Sequence, residues 1–219
     1  MATHRREARA ARRADLSGSG PTREERPPAR FPGATAKFEL LGEVMLIGLL
    51  VTIVSLPLIT LPAALAAGIR HLRRYIEADG SPISAFWRDL VRALPGGLVV
   101  GLVTLALTAI LLLDIDLANS GALPGGAAIA IAGWVGLAVV AVSVLVAAAA
   151  WSPELGWKRA VRGVGRTLVT DIPGTLYLAA TAAFVVVCTW ALPPLVIPAI
   201  GCAALAVIAV PMRARRARA

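Results

Sequence analysis

The sequence predicts an all-α protein that crosses a lipid bilayer several times. Hydrophobic residues make up 58% of the chain and charged residues 16%, whereas a typical soluble domain carries ~25% charged residues. Four long stretches contain no Asp, Glu, Lys, Arg or His, and they cover residues 44–69, 95–113, 117–153 and 172–212. A spanning helix needs ~20 mostly apolar residues. We therefore expect a polytopic helical membrane protein with five to six membrane-embedded helices.

The first apolar stretch is interrupted by Pro57 and Pro62. Proline removes a helical hydrogen bond and disfavours helix in the residue before it, so we expect a hairpin of two helices, at about 41–56 and 61–78. Thr60 is a candidate N-cap for the second helix, with Pro62 in its first turn. Broken helices build binding sites from freed backbone groups, and these three residues form a candidate substrate site. The alternative is a single crossing by residues 41–69.

Two amphipathic segments are expected to lie in the cytoplasmic membrane interface rather than to cross the bilayer. The first covers residues 83–94 and carries Arg88, Asp89 and Arg92 as its polar residues. The second follows Ser152-Pro153 and is basic on one side. Pro-Gly pairs are expected to end both segments. The spans beyond the hairpin are then expected at about 95–113, 127–151, 175–191 and 195–211.

Gly97 and Gly101 form a G-x-x-x-G pattern in the first of those spans. Small residues at this spacing let helix backbones approach closely. The pattern therefore indicates helix packing, either within the chain or between two copies of it.

The distribution of basic residues predicts the domain organisation and the orientation. Nine of the 22 Lys and Arg residues lie in residues 1–37. This segment is highly charged and has few apolar residues, so we expect it to be a disordered cytoplasmic arm. The helical membrane domain is expected over 38–212, followed by a basic cytoplasmic tail at 213–219. Segment 114–126 contains no Lys or Arg, so it should lie outside, with both termini inside. A cysteine at Ser81 should then be labelled only from the cytoplasm.

Few residues offer catalytic chemistry. His4 and His71 have no carboxylate or cysteine at ligand spacing, and Cys188 and Cys202 lie within apolar stretches. No metal, cofactor or catalytic site is therefore expected, and the protein is not expected to be an enzyme. The net charge of +9 is explained by topology, because the basic residues are not interleaved with stacking aromatics as in nucleic-acid-binding proteins.

The Leu-Pro-Leu-Ile-Thr-Leu-Pro-Ala-Ala run within residues 50–70, followed by Phe86-Trp87-Arg88, resembles the opening of the YesL-like family. This is a group of uncharacterised bacterial membrane proteins. The resemblance covers about residues 40–102 and continues beyond them only in hydropathy. It implies a multi-pass protein of the bacterial cytoplasmic membrane with an accessory role near carbohydrate-uptake systems. It carries no catalytic residues over to this chain.

These observations give one leading functional expectation and two alternatives. The leading one is an accessory subunit linked to solute uptake, in contact with the lipid bilayer and with a membrane-protein partner or a second copy of itself. The first alternative is a small autonomous transporter or channel with its site at Pro57, Thr60 and Pro62. The second is a membrane-bound enzyme, which a bound chromophore would favour.

Overall fold

The computed structural model describes residues 32–77, 82–121 and 125–216. Within these ranges the chain forms seven α-helices, one short 3₁₀ helix and no strand, which confirms the predicted all-α class. The α-helices are α1 (Pro32–Val54), α2 (Leu61–Ile76), α3 (Ile83–Asn119), α4 (Gly126–Ala150), α5 (Gly156–Thr170), α6 (Ile172–Ala191) and α7 (Val196–Arg216). The 3₁₀ helix Pro193–Leu195 joins α6 to α7.

Parts of the predicted terminal segments lie outside the described residues, namely 1–31 of the basic arm and 217–219 of the tail. Ser81 also lies outside them. Helix α1 begins at Pro32, which is within the segment predicted to be disordered. The chain divides into two units at Glu39 and Leu40, and the unit that begins at Leu40 holds all of helices α2 to α7.

Four segments among the described residues are long and apolar enough to cross a membrane. Only 11% to 33% of the most apolar part of each is buried inside the protein, so most of their apolar surface faces outwards. Exposed apolar area on this scale is typical of a surface covered by lipid. The structure therefore supports a membrane-embedded protein with four candidate spans, which are Ile83–Asn119, Gly126–Ala150, Ile172–Ala191 and Pro193–Met212.

Helix α2 is the central helix of the domain. It packs against α3, α4 and α7, and every residue from Pro62 to Ile69 is buried. This segment is rich in alanine and contains Gly68, whose missing side chain leaves room for Ile47 and Val51 of α1. Small side chains let the neighbouring backbones come close on all sides.

Helix α3 runs without interruption through Pro95. The predicted boundary at Pro95-Gly96, between an interfacial helix and a span, is therefore absent from this 37-residue helix. Proline removes one backbone donor, but neighbouring helices and their side chains make such residues tolerable inside membrane helices. The second amphipathic segment does form a separate helix, α5, which buries Trp157, Ala160 and Val164 along one face.

Candidate functional site

The predicted substrate site lies in the turn between α1 and α2. Thr60 occupies the predicted N-cap position of α2, but its side chain makes no capping hydrogen bond to that helix. Its Oγ1 instead donates a hydrogen bond of 2.5 Å to the carbonyl of Val54 and so closes the end of α1. Leu58 adopts the left-handed conformation, with φ of 57°, which costs a non-glycine residue about 1–2 kcal/mol. Pro57 precedes it, and Pro62 lies in the first turn of α2. The turn satisfies several of its own backbone groups through internal hydrogen bonds.

One polar group in this turn has no partner. Ser55 is 7% exposed, and its Oγ makes no hydrogen bond among the described atoms. A buried hydroxyl without a partner costs free energy, which makes Ser55 a functional candidate that the sequence pattern did not reveal.

Gly97 and Gly101 lie on the face of α3 that packs against this turn and α2. A Cβ at Gly97 would lie 2.7 Å from the Ala63 side chain, and a Cβ at Gly101 would overlap the main-chain carbonyl of Ile59. Both glycines therefore serve packing within the chain. Of the two roles left open by the G-x-x-x-G pattern, the structure shows the intramolecular contact.

Helices α1 and α7 also meet through glycines. A Cβ at Gly48 would overlap the main-chain carbonyl of Ile197, and a Cβ at Gly201 would overlap that of Val44. The two contacts are four residues apart on each helix and run in opposite chain directions, so the segments are antiparallel. No sequence pattern links these two glycines, because they come from opposite ends of the chain.

A buried ion cluster joins α2 to α3. Asp89 is 2% exposed, and its Oδ2 accepts hydrogen bonds from Arg70 Nε at 3.2 Å and from Arg74 Nη2. The two arginines lie one helical turn apart on α2, so their side chains can converge on one carboxylate. Burial, and after it the nearby Arg70 and Arg88, lower the pKa of Arg74. Asp89 supplies the negative charge that offsets this crowding of cations.

A second polar contact joins α1 to α2. His71 is fully buried, and its Nε2 lies 2.5 Å from Oε1 of Glu43. A hydrogen bond between these two atoms needs one proton, which either group can carry. The other ring nitrogen, Nδ1, has no partner among the described atoms, and Phe86 packs edge-on against the ring with centroids 6.5 Å apart.

These polar contacts add to what the sequence indicated. The sequence has no carboxylate at ligand spacing from His71, yet Glu43 contacts it in the structure. Asp89 was expected among the polar residues of an amphipathic segment, yet it is buried. Glu43 and His71 are 28 residues apart in the chain, so local spacing could not show their contact. The burial of Asp89 did have a signal, because it lies at helical spacing from Phe86 and Ala93, which form the apolar stripe of α3.

Two cavities open near the basic end of the domain. One, of about 530 Å³, lies between α3 and the start of α5. The other, of about 230 Å³, lies between α4, α6 and α7 and is bordered by Arg73 and Asp171. Arg73 Nη2 donates to the carbonyl of Ala149 at 3.3 Å. Asp171 Oδ1 accepts from the Gly174 amide at 3.0 Å and so caps α6. Neither cavity is lined by the residues of the predicted substrate site.

Within the described ranges, no group of three His, Cys, Asp or Glu side chains is placed to hold a metal ion. Cys188 and Cys202 are both free thiols. No family model, curated protein or solved structure matches the chain, so the resemblance to the YesL-like family stays a prediction.

Proposed function

We propose that the chain is an accessory subunit of a membrane complex that serves solute uptake across a bacterial cytoplasmic membrane. The observation that carries this proposal is the filled centre of the domain. Helix α2 is buried between α1, α3, α4 and α7 along residues 62–69. A helix that is buried all round occupies the space in which a transporter of this size would need a solute pathway.

The proposal includes a topology of four spans and one helical hairpin that enters and leaves on the same side. The turn between α1 and α2 packs beside Gly101, six residues after Pro95 and twelve before Leu113. At 1.5 Å per residue this places the turn ~9 Å from one end of the apolar stretch and ~18 Å from the other. With the hairpin ending inside the membrane, both termini lie on the cytoplasmic side, together with all the basic segments.

The rigid packing of the domain supports its role as an accessory subunit, which acts as a scaffold for a partner rather than as a solute pathway. Glycine contacts hold the apolar parts of α1, α2, α3 and α7 together. At the basic end, the contact between Glu43 and His71 and the Asp89 cluster tie α1, α2 and α3 to each other. The basic residues of α5 remain exposed at the same end and offer a charged surface to a partner. The resemblance to the YesL-like family supports the link with carbohydrate uptake.

The proposal is tested by two measurements, one of whether solute uptake by cells requires the chain and one of whether the chain alone can transport the solute. Cells that lack the chain should lose uptake of one class of solute and regain it when the gene is restored. The purified chain in proteoliposomes should pass none of that solute above the level of empty vesicles. Solute flux by the purified chain alone would contradict the proposal.

A second candidate function is a small autonomous transporter or channel with its site at the turn. The unpartnered Ser55 hydroxyl and the strained Leu58 favour it, because strain and unsatisfied polar groups cluster at functional sites. The substitution Ser55→Ala separates the two proposals. It should lower solute flux if the turn is a transport site, whereas in a scaffold it should leave uptake unchanged and keep or raise stability, since an unsatisfied group is removed.

A further inference from the structure

The larger cavity has the composition of an anion-binding site at a membrane interface. It lies where α3 enters its apolar stretch and where α5 begins. Its volume is about 530 Å³, and its principal lining residues are Arg92, Gly96, Trp151, Gly156, Trp157 and Lys158.

The floor of the cavity is fixed by two buried tryptophans. Trp157 Nε1 donates a hydrogen bond of 2.8 Å to the carbonyl of Ala93, and the ring centroids of Trp151 and Trp157 lie 6.1 Å apart. Arg70 sits over the Trp151 ring, with its Cζ 5.8 Å from the centroid. Gly96 leaves the space that Trp157 occupies, since a Cβ there would lie 2.5 Å from the indole Cδ1. The indole rings therefore form a fixed surface.

The mouth of the cavity is positively charged. Arg92 and Lys158 are both exposed, and the lining includes no carboxylate. The first turn of α5 adds the partial positive charge of a helix amino terminus. Glu154 lies close by, and its pKa is lowered, first by a hydrogen bond from Ser152 and to a lesser extent by Arg92. Glu154 is therefore a nearby negative charge that competes with any bound anion.

We propose that this cavity binds a phosphate group, carried either by the headgroup of an anionic lipid or by a free phosphate ion. Basic pockets between helices on the cytoplasmic side of a membrane bind lipid headgroups in this way. Val99 and Leu102 of α3 are each 63% exposed, and they follow Gly96 along the helix. They supply an apolar surface beside which the acyl chains of a bound lipid can lie. This inference does not rest on the proposed uptake function.

The lipid source is tested with the full-length protein in nanodiscs of equal parts phosphatidylglycerol and phosphatidylcholine. After mild detergent extraction, native mass spectrometry counts the phosphatidylglycerol that stays bound. The variant with Arg92→Gln and Lys158→Gln should retain about tenfold less than the wild type. The matched control, Arg88→Gln with Arg162→Gln, changes the same charge on the same two helices outside the cavity and should retain an amount within about twofold of the wild type. Glu154→Gln should retain more.

The free-ion source is tested by equilibrium dialysis of the delipidated protein against radiolabelled inorganic phosphate. Saturable binding that is lost in the cavity variant and kept in the control assigns the site to soluble phosphate. Selective loss of phosphatidylglycerol alone assigns it to lipid. The proposal is overturned if the cavity variant and the control behave alike in both experiments. Equal thermal unfolding of all variants, followed by circular dichroism, excludes misfolding as the cause of any loss.

Discussion

Neutralising Asp89 is the sharpest test of the buried ion cluster. The substitution Asp89→Asn keeps the size of the side chain and one carbonyl oxygen but removes the negative charge. Removing one partner of a buried ion pair costs about 3–5 kcal/mol, because the remaining charge is left without compensation. The side chains of Arg70 and Arg74 are 25% and 19% exposed, so they can partly reach interfacial water. We therefore expect a loss near the lower limit, about 2–3 kcal/mol.

The assay is thermal unfolding of the purified protein in mild detergent, followed by circular dichroism. For a chain of this size, 1 kcal/mol corresponds to roughly 2–4 °C, so Asp89→Asn should lower the Tm by about 5–10 °C. The matched control is Asp114→Asn, the same change at an exposed position of the same helix, which should lower the Tm by less than about 2 °C. If the two variants unfold within about 1 °C of each other, the cluster does not stabilise the fold as argued.

Three further predictions concern packing, topology and pH. Gly101→Val should destabilise the folded protein by about 1–3 kcal/mol, because the valine side chain would meet a main-chain carbonyl. Gly163 has open space around it, so Gly163→Ala should stabilise the folded protein by about 0.5–1 kcal/mol. Denaturant unfolding measures both changes. In a background without the native cysteines, Leu58→Cys should resist labelling by a membrane-impermeant maleimide added to either side, while Gly121→Cys should be labelled from outside. Equal labelling of the two cysteines would show that the hairpin crosses the membrane. The pKa of Glu154 is lowered from the ordinary carboxyl value of 4.5, so its stabilising effect is present above that value and is lost as the pH falls below it. Glu154→Gln should therefore flatten the acid side of a plot of Tm against pH. An unchanged acid slope would contradict this.

The coarse architecture could be predicted from hydropathy because the bilayer imposes it. Long uncharged stretches have few alternatives to membrane-embedded helices, and the described residues contain candidate spans in three of the four stretches, all except 44–69. Rules based on local sequence predicted the helix ends less well, because tertiary contacts determine where some helices end. The Pro95-Gly96 pair was expected to end the first amphipathic segment, yet α3 continues through it. The hydroxyl of Thr60 closes α1 instead of capping α2, because Val54 lies within its reach once the turn has formed.

The contacts between the buried polar side chains could not be predicted from their spacing in the sequence. Glu43 and His71 meet only because α1 and α2 fold back on each other. Asp89 reaches Arg70 and Arg74 only because α3 packs antiparallel to α2. In each case the partners are separated by many residues, and their contact depends on a helix arrangement that the hydropathy pattern leaves undetermined. The residues that line the larger cavity come together for the same reason, since α3 and α5 are distant in the chain.

The proposal that the chain is an accessory subunit is tested most directly by affinity purification from native membranes in mild detergent, with quantification of every co-purifying protein. We predict one membrane-protein partner in stoichiometric amount. That partner should be retained when Ser55→Ala replaces the wild type and lost when Gly101→Val disrupts the hairpin. Recovery of the chain alone, or only with copies of itself, would contradict the proposal and favour an autonomous transporter or channel.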